Sequence, residues 1–248
     1  MKIENNKLVI LLTACVTPGG MSFTYLQNPK ERERQYLQAL QWYLINTQYK
    51  IILCENTNYS LPSSFNEYLN SNRLEYLSFD GNNNFDKQKG KGVGEANIID
   101  YALNNSRFID NETLIVKITG RLIIKNVNQL IASMKNHQAV YGWRVRHEKA
   151  GMQCVSYFFS APKCFYQNYF LSAKKLIDDS KYIYFETILY QEILRWKNDM
   201  NVFNELYLPI LVIGESGSNG GLYKRERLPY LKTLLKFIIR RTLWYKVN

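Results

Sequence analysis

Leu8-Val9-Ile10-Leu11-Leu12-Thr13-Ala14-Cys15-Val16-Thr17-Pro18-Gly19-Gly20 begins as a nearly unbroken apolar run and ends on a Pro-Gly-Gly breaker. Such a run reads as a strand buried on both faces that gives way to a loop. Downstream, residues 31–49 carry Tyr36, Leu37, Leu40, Tyr43 and Leu44 at three- and four-residue spacing, which predicts an amphipathic helix. Residues 50–54 form a second apolar run, closed by Glu55-Asn56-Thr57-Asn58. Residues 74–79 form a third, closed by Asp80-Gly81-Asn82. The first third therefore reads β-α-β-(α)-β, with polar loops at the carboxyl ends of the strands. In an open α/β sheet those strand ends are where ligands bind.

The remainder continues the pattern less regularly. Lys89-Gly90-Lys91-Gly92-Val93-Gly94-Glu95 reads as a basic glycine-rich loop ahead of a helix over about 96–104. Residues 113–118 are a β-branched strand ending in Thr119-Gly120-Arg121. A helix over 127–134, strands over 139–145, 153–160 and 206–213, and a helix over 182–196 follow. The expected architecture is α/β, a mixed sheet sandwiched by helices. Residues 1–223 are expected to form one catalytic domain and residues 224–248 a basic amphipathic segment.

The composition fits that domain. The 248 residues are 46% hydrophobic and 21% charged, ordinary values for a chain with a proper core. A formal net charge of +11 points to an anionic partner: nucleic acid, anionic lipid, or the phosphates of a sugar nucleotide. Much of the excess sits in the tail, where Lys224, Arg225, Arg227, Lys232, Lys236, Arg240, Arg241 and Lys246 face Glu226 alone. There, Leu228, Leu231, Leu235, Ile238 and Ile239 share a side opposite Lys232, Lys236 and Arg240. That pattern suits an anionic membrane interface, and equally a helix docked on the domain.

Cys15, Cys54, Cys154 and Cys164 show no close pairing, and with only two histidines they predict no zinc site and a reducing cytosol. Leu12-Thr13-Ala14-Cys15 mimics a lipoprotein processing box. The apolar residues 8–12 fall short of the roughly 7–15 residues of a signal core, and Glu4-Asn5-Asn6 breaks the approach, so export is not expected. No run reaches the ~20 apolar residues of a membrane span.

Two basic segments carry the chemistry. Glycines in residues 89–95 would let backbone N–H groups approach phosphate oxygens, with Lys91 adding charge. The Gly-Lys-Ser/Thr ending of a P-loop is missing, and alone the segment also fits a mobile surface loop. Lys117-Ile118-Thr119-Gly120-Arg121 closes a strand with two cations, and an arginine there can grip a diphosphate in a bidentate fashion. Because both segments flank one helix, they would meet at one anionic ligand. Glu186, an acid among aromatics near a helix start, is suited to take a proton from a sugar hydroxyl, or simply to cap the helix. Asp178-Asp179 could bind a metal, but beside Lys174-Lys175 the pair reads more readily as a solvated turn.

On these residues the chain resembles the bacterial glycosyltransferases of GT-A type found in capsule and O-antigen gene clusters, in particular a branch with a Lys-Gly-x-Gly-Glu loop and a Lys-Ile-Thr-Gly-Arg strand end. The resemblance runs from Leu8 to about Tyr223. It implies a GT-A-like fold in which Thr13, Thr17, Glu55, Asn56 and Asp80 contact the donor nucleotide. Lys91, Gly92, Glu95, Lys117 and Arg121 would hold its diphosphate, and Glu186 would act as catalytic base of an inverting transfer. Many such enzymes keep an Asp-x-Asp metal motif where this chain has Thr119-Gly120-Arg121. No metal ligand is therefore assigned, no cofactor is expected, and manganese or magnesium is left to experiment. The implied partners are a nucleotide-sugar donor (hexose, N-acetylhexosamine or galactofuranose), a glycan or lipid-linked glycan acceptor, and an anionic membrane surface at the inner face of the plasma membrane. The competing classes are a basic nucleic-acid-binding protein, against which stands the lack of a recognised binding module, and a noncatalytic membrane scaffold.

Overall fold

The computed structural model describes residues 7–217, 219–223 and Leu235. The elements are β1 (Leu8–Ala14), α1 (Pro29–Asn46), β2 (Lys50–Glu55), α2 (Asn66–Asn70), β3 (Leu74–Ser78), α3 (Lys91–Asn105), β4 (Leu114–Thr119), β5 (Ile123–Ile124), α4 (Val127–Ser133), β6 (Val140–Gly142), β7 (Arg144–His147), β8 (Gly151–Cys154), β9 (Phe158–Pro162), α5 (Lys163–Phe165), α6 (Phe185–Asn198), β10 (Phe203–Glu205), β11 (Val212–Glu215) and β12 (Leu222–Tyr223). A seven-stranded mixed sheet runs in the order β10-β6-β9-β4-β1-β2-β3.

β1 is the centre of this sheet because every one of its residues is buried. It pairs in parallel with β2 on one side and β4 on the other, so its backbone groups are satisfied along both edges. The two-residue period of the strand divides its side chains between two cores. Leu8, Ile10 and Leu12 pack with Leu40, Tyr43 and Leu130, from α1 and α4. Val9 and Leu11 pack with Ile99, Ala102, Phe159 and Leu189, toward α3 and α6. Helices thus cover both faces, as the sequence leads one to expect. α1 starts where Asn28 accepts from the N–H groups of Lys30 (3.0 Å) and Glu31 (3.3 Å), with Pro29 in its first turn. Its Tyr43 hydroxyl donates to Leu122 O (2.9 Å) and accepts from Ile124 N–H (2.8 Å), tying the helix to the chain beyond β4.

Several boundaries differ from the sequence expectation. The basic glycine-rich segment is not a loop: α3 begins at Lys91 and takes Gly92, Val93, Gly94 and Glu95 into its first turns. The helix expected from residue 182 begins at Phe185, because Tyr182 is left-handed (φ 60) and Asp178 bridges to Ile183. The run 206–213 is strand only from Val212. Before it, Asn126 supplies the hydrogen bonds a sheet would give, donating to Pro209 O (2.9 Å) and accepting from Leu211 N–H (3.0 Å). The run 139–145 divides at Trp143 into β6 and β7, and 153–160 divides into β8 and β9. The expected C-terminal amphipathic helix lies outside the described residues except for Leu235, which is helical and exposed. No helix among the described residues is long and apolar enough to cross a membrane.

Candidate active site

Winding leaves β1 toward β2 and β3, then crosses back through α3 to β4 on the other side of β1. The direction of the fold reverses between β1 and β4, and a crevice opens at the carboxyl ends of two such strands. Thr13 and Thr119 are register partners at that point. A cleft open to solvent at its mouth lies there. Its lining includes Thr13, Asn56, Lys91, Glu95, Arg121 and Glu186.

The floor is an ionic knot. Lys117 points out of β4 into the protein and is fully buried. Its three ammonium protons meet Glu95 Oε1 (2.5 Å), Ser156 O (2.6 Å) and Thr119 Oγ1 (3.2 Å). The hydroxyls of Thr13 (2.9 Å) and Thr119 (3.1 Å) donate to the same Glu95 oxygen. Burial works against the charge of Glu95, yet the Lys117 charge and hydrogen bond outweigh it and hold the carboxyl below its usual range. The sequence reading set both residues on a diphosphate; in the structure Lys117 spends its three protons on protein acceptors, and Glu95 gathers Lys117, Thr13 and Thr119 at the floor.

Above the floor, Arg121 and Lys91 converge. A β-carbon placed on Gly217 would stand 2.6 Å from Arg121 Nη2 and 3.5 Å from Lys91 Nζ. Arg121 is 6% exposed; its Nη1 reaches Glu215 O and Gln35 Oε1. Burial lowers the proton affinity of both cations, and neighbouring Glu186, Glu95 and Asp179 act the other way on Lys91. Two partly desolvated cations thus approach one point under a glycine-bearing loop.

The N-terminus of α3 has a different occupant from the one expected. Asp179 is 6% exposed, and its carboxylate accepts from Gly92 N–H. A β-carbon on Gly90 would collide with Asp179 Oδ2 at 2.2 Å, and Gly90 sits at φ 89, so only glycine fits there. The Gly92 N–H, expected at a diphosphate, is here taken up by Asp179. Burial and the nearby Glu186 carboxylate push the Asp179 carboxyl up to about 6. The sequence reading missed this residue, because adjacent acids beside lysines resemble a solvated turn; the signal lay in the glycine at position 90.

Glu186 stands in the first turn of α6, where Ser156 Oγ donates to its Oε1. It faces the same cleft as Arg121 and Lys91. On the far wall, Asn56 is fully buried and lines the cleft, yet neither Nδ2 nor Oδ1 has a partner. Three other expected nucleotide contacts fall elsewhere. Glu55 is buried and organises the loop after β2, accepting from Val16 N–H (3.0 Å), Thr57 N–H (2.8 Å) and Tyr59 N–H (3.0 Å). Thr17 is exposed, its N–H turned to Thr57 Oγ1 (3.4 Å). Asp80 is exposed, bridging to Thr57 and accepting from Asn83 (2.9 Å). Arg32 was missed: it lines the cleft, donating to Cys15 O (2.6 Å), Leu26 O (3.1 Å) and the Tyr36 hydroxyl (2.9 Å).

The end of β4 does not fit a metal centre. Thr119, engaged by Glu95, and the guanidinium of Arg121 stand there, and no cluster of three His, Cys, Asp or Glu side chains arranged to hold a metal occurs among the described residues.

Fold and cleft together define an α/β domain with a cleft at its topological switch point. No family model matches the chain, and no curated protein matches it. Among solved structures, it is similar to a protein of Desulfovibrio desulfuricans G20 named as a nucleotide-diphospho-sugar transferase, at 13% identity and a TM-score of 0.40 over 83% of this chain and 80% of that one. A likeness of that size carries no argument about activity.

Proposed function

We propose that the protein is a glycosyltransferase that moves a sugar from a nucleoside-diphosphate donor to a glycan or lipid-linked glycan acceptor. The observation that carries this reading is the placement of two converging buried cations, Lys91 and Arg121, and a carboxylate, Glu186, in one cleft at the strand ends. The Asn56 amide, buried and unpartnered, supports a polar contact to the nucleobase, with Thr13 beside it.

In the proposed step the Glu186 carboxylate takes the proton of an acceptor hydroxyl, and that oxygen forms the new bond to the anomeric carbon from the opposite face. The bond from the anomeric carbon to the β-phosphate oxygen breaks, and the nucleoside diphosphate leaves with its electron pair. Arg121 and Lys91 stabilise the charge that develops on the diphosphate. Residues 224–248 would hold the enzyme at an anionic membrane surface, which co-sedimentation with anionic vesicles would test.

Transfer or hydrolysis of UDP-, GDP- and dTDP-sugars, measured with and without EDTA, tests the reading. The wild-type protein should turn over one donor in EDTA, and Glu186→Gln should lose about 100-fold or more. Substantial transfer by Glu186→Gln removes that residue from the role of base. Full loss in EDTA that manganese restores removes the metal-independent part.

A further inference from the structure

Beside Glu186, an aromatic wall stands that none of the roles above uses. Tyr184 is the residue capping α6, two positions before Glu186. The His147 ring, at the tip of the β7–β8 hairpin, meets Tyr184 edge-on at 5.5 Å between centroids. Tyr182 stands edge-on to Tyr184 at 6.3 Å, and Lys149 Nζ lies 5.3 Å from the centre of the Tyr182 ring. The wall is joined to α6 by a hydrogen bond from Gln153 Nε2 to Thr187 Oγ1 (3.0 Å).

Three features separate it from ordinary surface. Tyr182 remains 50% exposed although it occupies the left-handed region (φ 60), so it adopts a costly backbone conformation without burying its ring. His147 Nδ1 accepts from the N–H groups of Lys149 and Ala150 (both 3.2 Å), which leaves Nε2 as the donor of the neutral ring. Tyr184 is the N-cap residue of α6 and Glu186 lies in its first turn, which places the wall at the helix end that carries the carboxylate.

Aromatic rings flanked by a ring N–H, phenolic hydroxyls and an ammonium suit a ligand with apolar C–H faces and many hydroxyl oxygens. We propose that Tyr182, Tyr184 and His147 form the acceptor subsite, binding a pyranose ring of the acceptor glycan so that its hydroxyl meets Glu186. This rests on the glycosyltransferase reading, and it differs from the donor site in residues and in ligand.

Saturation-transfer NMR with methyl glycosides of glucose, galactose, N-acetylglucosamine and glucuronic acid tests it, with UDP and GDP as probes of the donor site in the same samples. At least one glycoside should receive saturation from the wild-type protein. Tyr182→Ala should cut that signal at least fivefold, Tyr182→Phe should keep it, and neither should change the nucleotide signal; circular dichroism verifies folding. An undiminished glycoside signal in Tyr182→Ala overturns the subsite, as does no glycoside signal from a wild-type protein that binds nucleotide. Glycoside binding that depends on Tyr182 without any nucleotide binding keeps the subsite and overturns the donor reading instead.

Discussion

Lys117 Nζ lies 2.5 Å from Glu95 Oε1, and the two side chains join the centre of the sheet to the first turns of α3. Lys117 is fully enclosed, while Glu95 keeps an edge on the cleft. A buried ion pair adds little net stability when both partners are present, but loss of one partner leaves the other desolvated. Lys117→Met should therefore destabilise the protein by about 3 kcal/mol. Adding Glu95→Gln to that variant should recover part of the loss, because the stranded charge is gone. Urea unfolding of the four proteins in this cycle provides the measurement. Additive losses would show that the two residues act independently.

Asp179 gives the protein a pH dependence of stability. Its carboxyl is raised from 3.8 to about 6, so the folded state holds a proton that the unfolded chain has already released between those values. Stability should fall as pH rises from about 4 to about 6 and then level off, by roughly 3 kcal/mol for a shift of about two units. Asp179→Asn, which keeps an acceptor for Gly92 N–H, should abolish that slope and be more stable than the wild type at pH 7. Unfolding midpoints across pH 4–8 decide it; an unchanged slope in Asp179→Asn would assign the effect to another group.

Gly90→Ala should be among the more damaging small substitutions. The new methyl would overlap Asp179 Oδ2, and the residue would keep a backbone angle disfavoured by any β-carbon. A loss of about 2–3 kcal/mol is expected, of which a second change of Asp179→Gly should remove only the part due to the overlap, leaving the backbone strain. Thermal unfolding of the single and double variants measures it.

Asn56 carries an opposite trade between stability and binding. Its amide is buried with no partner on either atom, a state that costs about 1–3 kcal/mol. Asn56→Leu, near in shape, should hold or raise the unfolding temperature while weakening nucleotide binding at least tenfold. A lower unfolding temperature with unchanged binding would show the amide to be structural.

The sheet was legible because β1 and β4 are long, apolar and bounded by breakers, and burial on both faces leaves them no other use. The strand-end position of the cleft was legible in the polar loops that close β1, β2 and β3, whereas the winding reversal between Thr13 and Thr119 is set by tertiary strand pairing. The sequence could not distinguish roles among the charged residues. Lys117 and Arg121 are four residues apart and a two-residue period would put them on one face, yet β4 ends at Thr119 and the turn at Gly120 carries Arg121 to the cleft while Lys117 stays in the core. Asp179 lies 88 positions from Lys91, and only tertiary packing sets it on the start of α3. Glu55 and Asn56 show the same limit: adjacent residues, one spent on its own loop and one turned to the cleft.

Arg121 and Lys91 converging on one point is the feature on which the proposed activity most depends. Thermal-shift titration with UDP-, GDP-, dTDP- and CMP-sugars, for the wild type and Arg121→Ala, tests it directly, since a ligand of the folded state must raise its apparent stability. One nucleoside-diphosphate sugar should raise the unfolding temperature of the wild type, with affinity reduced at least tenfold in a folded Arg121→Ala. No shift with any donor, or equal affinity in Arg121→Ala, would contradict a diphosphate site in this cleft.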